Sequence, residues 1–202
     1  MSEKIKLDKY RVLVCCTGSV AAVNIPDIVN ELLKLPVEQI EVKVAPTEKS
    51  LKFFDPNSLP VKVVFDEDEW TANWRDRSIL YKEPVLHIEL RKWADIILIA
   101  PLNANTLAKI ANGISDNLLT CVLRVYKPDK PVLFATAMNV SMWDHPITNQ
   151  HIETLKQWGY TEIPCIKKKL ACGDIGFGGL AETTTIVTKV YQSLLEMNGI
   201  EI

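Results

Sequence analysis

The feature that most constrains this chain is an alternation, running end to end, of short continuously apolar runs with segments of helical period. Residues 11–16, 40–45, 61–65, 95–100, 131–135 and 162–166 read as strands. Residues 20–35, 103–112, 116–126, 147–158 and 184–197 read as helices. A strand with one wet face alternates apolar and polar residues, whereas a strand covered on both faces is apolar throughout. Continuous runs joined by helices therefore predict a mostly parallel sheet with helices on both faces. The 202 residues suffice for one full core without covalent staples. The expected architecture is α/β, a single Rossmann-like or flavodoxin-like domain over residues 1–202.

Such a sheet binds ligands outside the carboxyl ends of its strands. The loops there are residues 17–19, 46–49, 101–106 and 136–143, all rich in small hydroxyl and amide side chains. Three lead into helices whose N-terminal N–H groups can hold phosphate. No GxGxxG and no GxxxxGK[ST] occurs, which argues against dinucleotide and P-loop sites. A hydroxyl-and-amide cradle suits a mononucleotide phosphate instead. Taken singly, Ser19, Asn103 and Asn105 read as helix caps; four such loops on one edge shift the balance toward a ligand.

A net charge of -2 gives no electrostatic footprint for nucleic acid or a membrane surface. No apolar run is long enough to span a bilayer. Residues 1–10 are polar and lysine-rich, are expected to be flexible, and lack the apolar core of a signal peptide. The five cysteines are odd in number and form no CxxC pair, so neither a disulfide framework nor a metal site is expected. A reducing, cytoplasmic setting fits them.

Two segments break the pattern. Residues 65–84 are long for a connection and carry Trp70, Trp74 and Tyr81. Those aromatics either cover a ligand or neighbouring subunit, or pin a surface excursion. Residues 167–182 hold Cys172, Gly173, Gly176, Gly178 and Gly179, and are expected to form a mobile active-site lid.

Three side chains on this edge carry chemistry. His87 offers an imidazole, whose ordinary ionisation lies near neutrality; its bland alternative is a satisfied structural histidine. Asn139 follows a strand, where a carboxamide can hold a carboxylate or merely cap the loop. Cys172 lacks the apolar flanks of an inert packing cysteine, and a thiol there can deliver a proton when the segment closes.

These residues sit in longer motifs: TGSVAA at 17–22, VLHIEL at 85–90, APLNANTLAKIANGISDNLLT at 100–120, AMNVSMW at 137–143 and KKLACGDIGFG at 168–178. In this order, the chain resembles the flavin-dependent cysteine decarboxylases over residues 14–189, and within them the branch serving coenzyme A biosynthesis. The resemblance implies FMN as cofactor and decarboxylation of 4'-phosphopantothenoylcysteine to 4'-phosphopantetheine. In that chemistry the substrate thiol is oxidised to a thioaldehyde, the C=S draws off the electrons released with CO₂, and the enethiol is re-reduced. By the same resemblance His87 is the base of the oxidative half, Asn139 holds the substrate carboxylate and Cys172 donates the proton of the reductive half. Flavin contacts are implied for Gly18, Ser19, Thr47, Asn103, Ala104, Asn105, Thr106 and Ala137. Met142 would line the pocket, and Lys169 and Ala171 would touch substrate. A homotrimer with active sites at subunit interfaces is implied too.

Some positions depart from the family's pattern. Thr136 stands where proline is usual, which predicts a modest change in loop rigidity. Lys49 replaces a small hydroxyl residue and can pair with the flavin phosphate. Gly179 and Leu180 replace Ala-Met. Two other readings belong to the same scaffold: a decarboxylase of C-terminal cysteine in peptides, and a non-catalytic, phosphatase-inhibitor-like regulator. The ACGD sequence favours the pantothenate branch over the first. The presence of His87, Asn139 and Cys172 together, and the lack of an acidic run near Ile202, favour the enzyme over the second.

Overall fold

The structure is a computed structural model describing residues 9–72, 75, 76, 78, 82–125, 127 and 129–199. Its centre is a six-stranded parallel sheet in the order β3-β2-β1-β4-β5-β6. The strands are β1 (Lys9–Cys16), β2 (Gln39–Pro46), β3 (Lys62–Val63), β4 (Ile96–Leu102), β5 (Val132–Thr136) and β6 (Thr161–Ile163). This is the Rossmann-like order, and its direction of winding reverses between β1 and β4.

The continuous apolar runs are explained by the two cores. Val12, Val14, Ile96, Leu98, Ala100, Leu133 and Ala135 point to one face. Their neighbours Leu13, Cys15, Ile97, Ile99, Val132 and Phe134 point to the other. The first face is covered by α1 (Ile25–Leu32) and α7 (Thr183–Glu196). The second is covered by α2 (Leu86–Trp93), α3 (Ala104–Ala111), α4 (Leu118–Arg124) and α6 (Pro146–Gln157). Every residue of β4 and β5 is buried, as strands between two helical layers must be.

Four differences from the sequence-based expectation stand out, two of them caused by proline. The helix expected over 20–35 is a 3-10 turn, Val20–Asn24, followed by α1. Pro26 has no N–H and its ring clashes with the carbonyl four residues back, so an α-helix cannot run through it. The strand expected over 162–166 stops at Ile163, where Pro164 removes a ladder donor. The strand expected over 61–65 shortens to the two residues of β3 at the sheet edge. α2 was not anticipated, although Leu86, Leu90 and Trp93 carry helical spacing and the first two and the tryptophan pack into the second core.

The expected lid is not an irregular loop. β7 (Ile166–Lys169) and β8 (Ile175–Gly179) pair as an antiparallel hairpin outside the main sheet. Its glycines serve close approach: a Cβ on Gly176 would meet Val140 Cγ2 at 2.8 Å, and Gly178, at φ 113°, lies against the Met138 carbonyl. Met138 N donates to Gly178 O at 2.9 Å, docking the hairpin on the loop after β5. The flexible terminus expected at residues 1–10 lies outside the described residues up to residue 8, as do Trp74 and Tyr81; Trp70 is described and exposed.

Candidate active site

At the β1/β4 switch point the two strand ends are tied together. Thr17 Oγ1 donates to Pro101 O at 2.7 Å and accepts from Asn103 N at 2.8 Å. Asn103 Nδ2 donates to Gly18 O at 2.8 Å, and Asn103 Oδ1 caps α3 by accepting from Thr106 N at 2.8 Å. Beside these ties opens a crevice of about 480 Å³. That volume lies in the usual range for small-ligand sites.

Most of the residues expected to hold ligand line it. Gly18, Ser19, Asn103, Ala104, Asn105 and Ala137 form one part of the wall. Asn139, Met142, Lys169, Ala171 and Cys172 form another. Thr47, Lys49 and Thr106 are not part of that lining. Thr47 is buried and ties to β1 through its N–H to Cys16 O at 2.9 Å. Lys49 lays its Cβ against Gly18, where any added Cβ would come within 2.6 Å of it. Thr106 is buried in the first turn of α3. The sequence reading missed Val20, Val23, Met138 and Leu180, which give the crevice its apolar wall.

The crevice fits a flavin mononucleotide. A fused ring needs an apolar slot, which these side chains make. A phosphate needs donors, and the first N–H groups of α3, at Ala104 and Asn105, have no intrahelical partner.

At the mouth, Asn139 caps the short helix α5 (Val140–Trp143) through its Oδ1, which accepts from Ser141 N at 2.8 Å. Its Nδ2 donates to Cys172 Sγ and to Asp174 Oδ2, both at 3.0 Å. The thiol in turn donates to Asp174 Oδ2 at 3.2 Å. The bonds from Asn139 first, then from Cys172, hold the Asp174 carboxyl below the usual aspartate range. The hairpin turn therefore brings Cys172 to Asn139, and Asp174 is the partner the sequence reading did not assign.

His87 does not join them. Among the described residues it is absent from the crevice wall. It sits in the first turn of α2 with Nδ1 2.6 Å from Glu69 Oε1. Of the three chemical groups expected at this edge of the sheet, the crevice of this chain brings together Asn139 and Cys172.

Comparison with known proteins points the same way as the crevice. The family model described as Flavoprotein matches residues 1–195. A mouse protein named phosphopantothenoylcysteine decarboxylase is 53% identical over 191 residues, covering 95% of this chain and 90% of that one. A solved cysteine-to-serine variant of PPC decarboxylase, complexed with pantothenoylaminoethenethiol, superposes with a TM-score of 0.83 at 46% identity, covering 91% of this chain and 97% of that one. The FMN-binding protein AtHal3 gives a TM-score of 0.81 at 44% identity, covering 96% of this chain and all of that one (100%).

Proposed function

The chain belongs to the flavoprotein family, and from that premise we propose that it is an FMN-dependent carboxy-lyase converting 4'-phosphopantothenoylcysteine to 4'-phosphopantetheine in coenzyme A biosynthesis. The observation that carries this reading is the meeting of Asn139, Cys172 and Asp174 at the mouth of a flavin-sized crevice. Relatives at about half identity over nearly the whole chain carry that activity in their names.

FMN would be held by Gly18, Ser19, Asn103, Ala104, Asn105 and Ala137, and the chemistry it supplies when bound is two-electron oxidation of the substrate thiol and its later reversal. The remaining work belongs to side chains of the protein. His87 takes a proton as the thiol is oxidised. Asn139 holds the substrate carboxylate through Nδ2 until it leaves as CO₂. Both Nδ2 hydrogens are already engaged, so that carboxylate displaces Asp174 and frees the turn of the hairpin. Cys172 then gives its proton to the enethiol carbon, and Lys169 and Ala171 flank the substrate.

Because His87 does not line the crevice of its own chain, it serves the crevice of a neighbour. The assembly is a homotrimer with sites at subunit interfaces, supported by exposed Val20, Val23, Met142 and Phe177 around the crevice and hairpin. Among the described residues no helix is long and apolar enough to cross a membrane. With all five cysteines free of disulfides, a cytoplasmic setting fits.

Purified protein should be yellow with flavin bands, and should release CO₂ from 4'-phosphopantothenoylcysteine but not from a peptide ending in cysteine. Colourless protein would overturn the cofactor assignment. CO₂ release from the peptide alone would move the activity to the peptide branch.

A further inference from the structure

His87 is held by one distant residue. Glu69, in the 3-10 turn Asp66–Trp70, places Oε1 2.6 Å from His87 Nδ1 and Oε2 3.0 Å from His87 N. Its side chain is only 9% exposed, against 22% for the imidazole. The turn that carries it is itself anchored. Asp66 Oδ1 accepts from Leu118 N at 2.9 Å, and Asp68 Oδ2 accepts from Phe65 N at 2.8 Å.

The two oxygens do different things. Val85, at the N-cap of α2, makes no side-chain capping bond, so Oε2 satisfies one of the helix's orphan N–H groups. An anion there also suits the helix dipole. That contact alone would be structural. The other has a chemical consequence. A carboxylate can only accept, so Nδ1 carries a ring proton, and in the neutral imidazole Nε2 is then the nitrogen with the lone pair. A base needs that arrangement, with the lone pair on the nitrogen turned away from its anchor.

We propose that Glu69 is a positioning residue that locks His87 as the Nδ1–H tautomer and aims its Nε2 at the substrate proton. This rests on the reading of His87 as the base. Glu69 touches no substrate; it acts through the imidazole, as a buried carboxylate does behind a catalytic histidine elsewhere.

Glu69→Gln separates the two contacts. The new side chain has one accepting oxygen and one NH₂ group. The backbone N–H of His87 can only donate, so it keeps the oxygen, and the NH₂ faces Nδ1. Nδ1 becomes an acceptor and the ring proton moves to Nε2. Shape and helix cap survive while the tautomer inverts.

The experiment is ¹⁵N NMR of histidine-labelled holoprotein across a pH series, read at the alkaline plateau of the His87 shifts and paired with steady-state kinetics. The ¹⁵N shifts of His87 should show Nδ1–H in the parent and Nε2–H in Glu69→Gln. The kcat should fall roughly 10²–10⁴-fold, with KM changed less than about threefold and flavin absorbance unchanged. In a His87→Asn background, Glu69→Gln should cost nothing further. An unchanged tautomer or unchanged kcat in Glu69→Gln would overturn the proposal, as would an additional loss in the His87→Asn background. Parent protein with the Nδ1–H tautomer but no CO₂ release would uphold the Glu69 contact and sink the decarboxylase reading instead.

Discussion

Asn139 Nδ2 donates to Asp174 Oδ2 across 35 positions of sequence, at 3.0 Å. The contact places a carboxylate of the protein on the same amide that the proposed mechanism assigns to the carboxylate of the substrate. Asn139→Asp would therefore set a negative charge against Asp174 and, on binding, against the substrate. KM should rise roughly 10–100-fold at neutral pH, as for the loss of a hydrogen bond to a charged group. The defect should ease as pH falls toward the carboxylate range. Measuring KM from pH 5 to 8 checks both; a flat, parent-like profile would remove Asn139 from carboxylate binding.

The same contact sets an acid limit on the hairpin turn. Asp174 has a folded pKa below its ordinary value, because Asn139 and Cys172 donate to its ionised form. A lowered pKa means the interaction is fully present above the ordinary aspartate value and is lost as pH falls through the lower, folded one. The ¹³C carboxyl shift of Asp174 should titrate below the usual aspartate range. Asn139→Ala should move that titration back up. A midpoint unaffected by the substitution would show that the amide does not hold the carboxylate in solution.

Glycines in the hairpin test whether it is a docked element. Gly178 combines φ 113° with contact to the Met138 carbonyl, while Gly173, at φ 95°, has nothing within 4 Å of an added Cβ. Gly178→Ala should destabilise by about 2–4 kcal/mol, adding backbone strain to the disturbed Met138 N–H bond. Gly173→Ala should incur only the strain, of about 1 kcal/mol. Denaturant midpoints compare them; equal losses would mean the hairpin does not pack on the loop after β5.

Burial separates the thiols by reactivity. Burial pushes Cys16 up to about 12 and Cys15 higher still, and raises Cys165, whereas Cys172 is exposed. Native protein at pH 8 should therefore take iodoacetamide first on Cys172, with the three buried thiols reacting only on unfolding. Peptide mapping reads the order directly.

The apolar runs made the sheet legible because strands such as β4 and β5 are covered on both faces and have no polar positions to confuse the pattern. The loops after β1, β4 and β5 were legible for the related reason that the switch point leaves ligands one edge to use. The roles of Glu69 and Asp174 were not, since each meets its partner across the fold: Glu69 reaches His87 from an irregular turn, and Asp174 reaches Asn139 only after the hairpin docks. Charge-rich turns such as residues 66–69 look solvated in one dimension. His87 could be placed near that edge by sequence, but the crevice of its own chain does not include it; in the assembly proposed above it faces a neighbour's crevice, an arrangement that no spacing within one chain encodes.

Shared sites make a direct prediction for mixed assemblies. If His87 of one protomer serves the Cys172 crevice of the next, His87→Asn and Cys172→Ser chains are each deficient alone yet complementary together. Random co-assembly should restore about a quarter of the sites in a cyclic trimer. Activity of the co-expressed mixture no higher than the sum of the two variants would return His87 to its own chain.

Cys172→Ser assigns one residue to one half of the cycle. Serine keeps nearly the same shape but is a far weaker acid than a thiol, whose ordinary pKa is about 8.5. It can still accept from Asn139 and donate to Asp174, so the turn should stay in place. Oxidation and CO₂ loss do not need the thiol proton and should survive. Protonation of the enethiol carbon should stall, leaving the flavin reduced and a product lighter than 4'-phosphopantetheine by one H₂. Mass spectrometry of a single anaerobic turnover measures the product directly. Release of ordinary 4'-phosphopantetheine at the parent rate would make Cys172 a structural partner of Asn139 alone. Failure to evolve CO₂ would place the thiol in the first half-reaction, ahead of the step assigned to it.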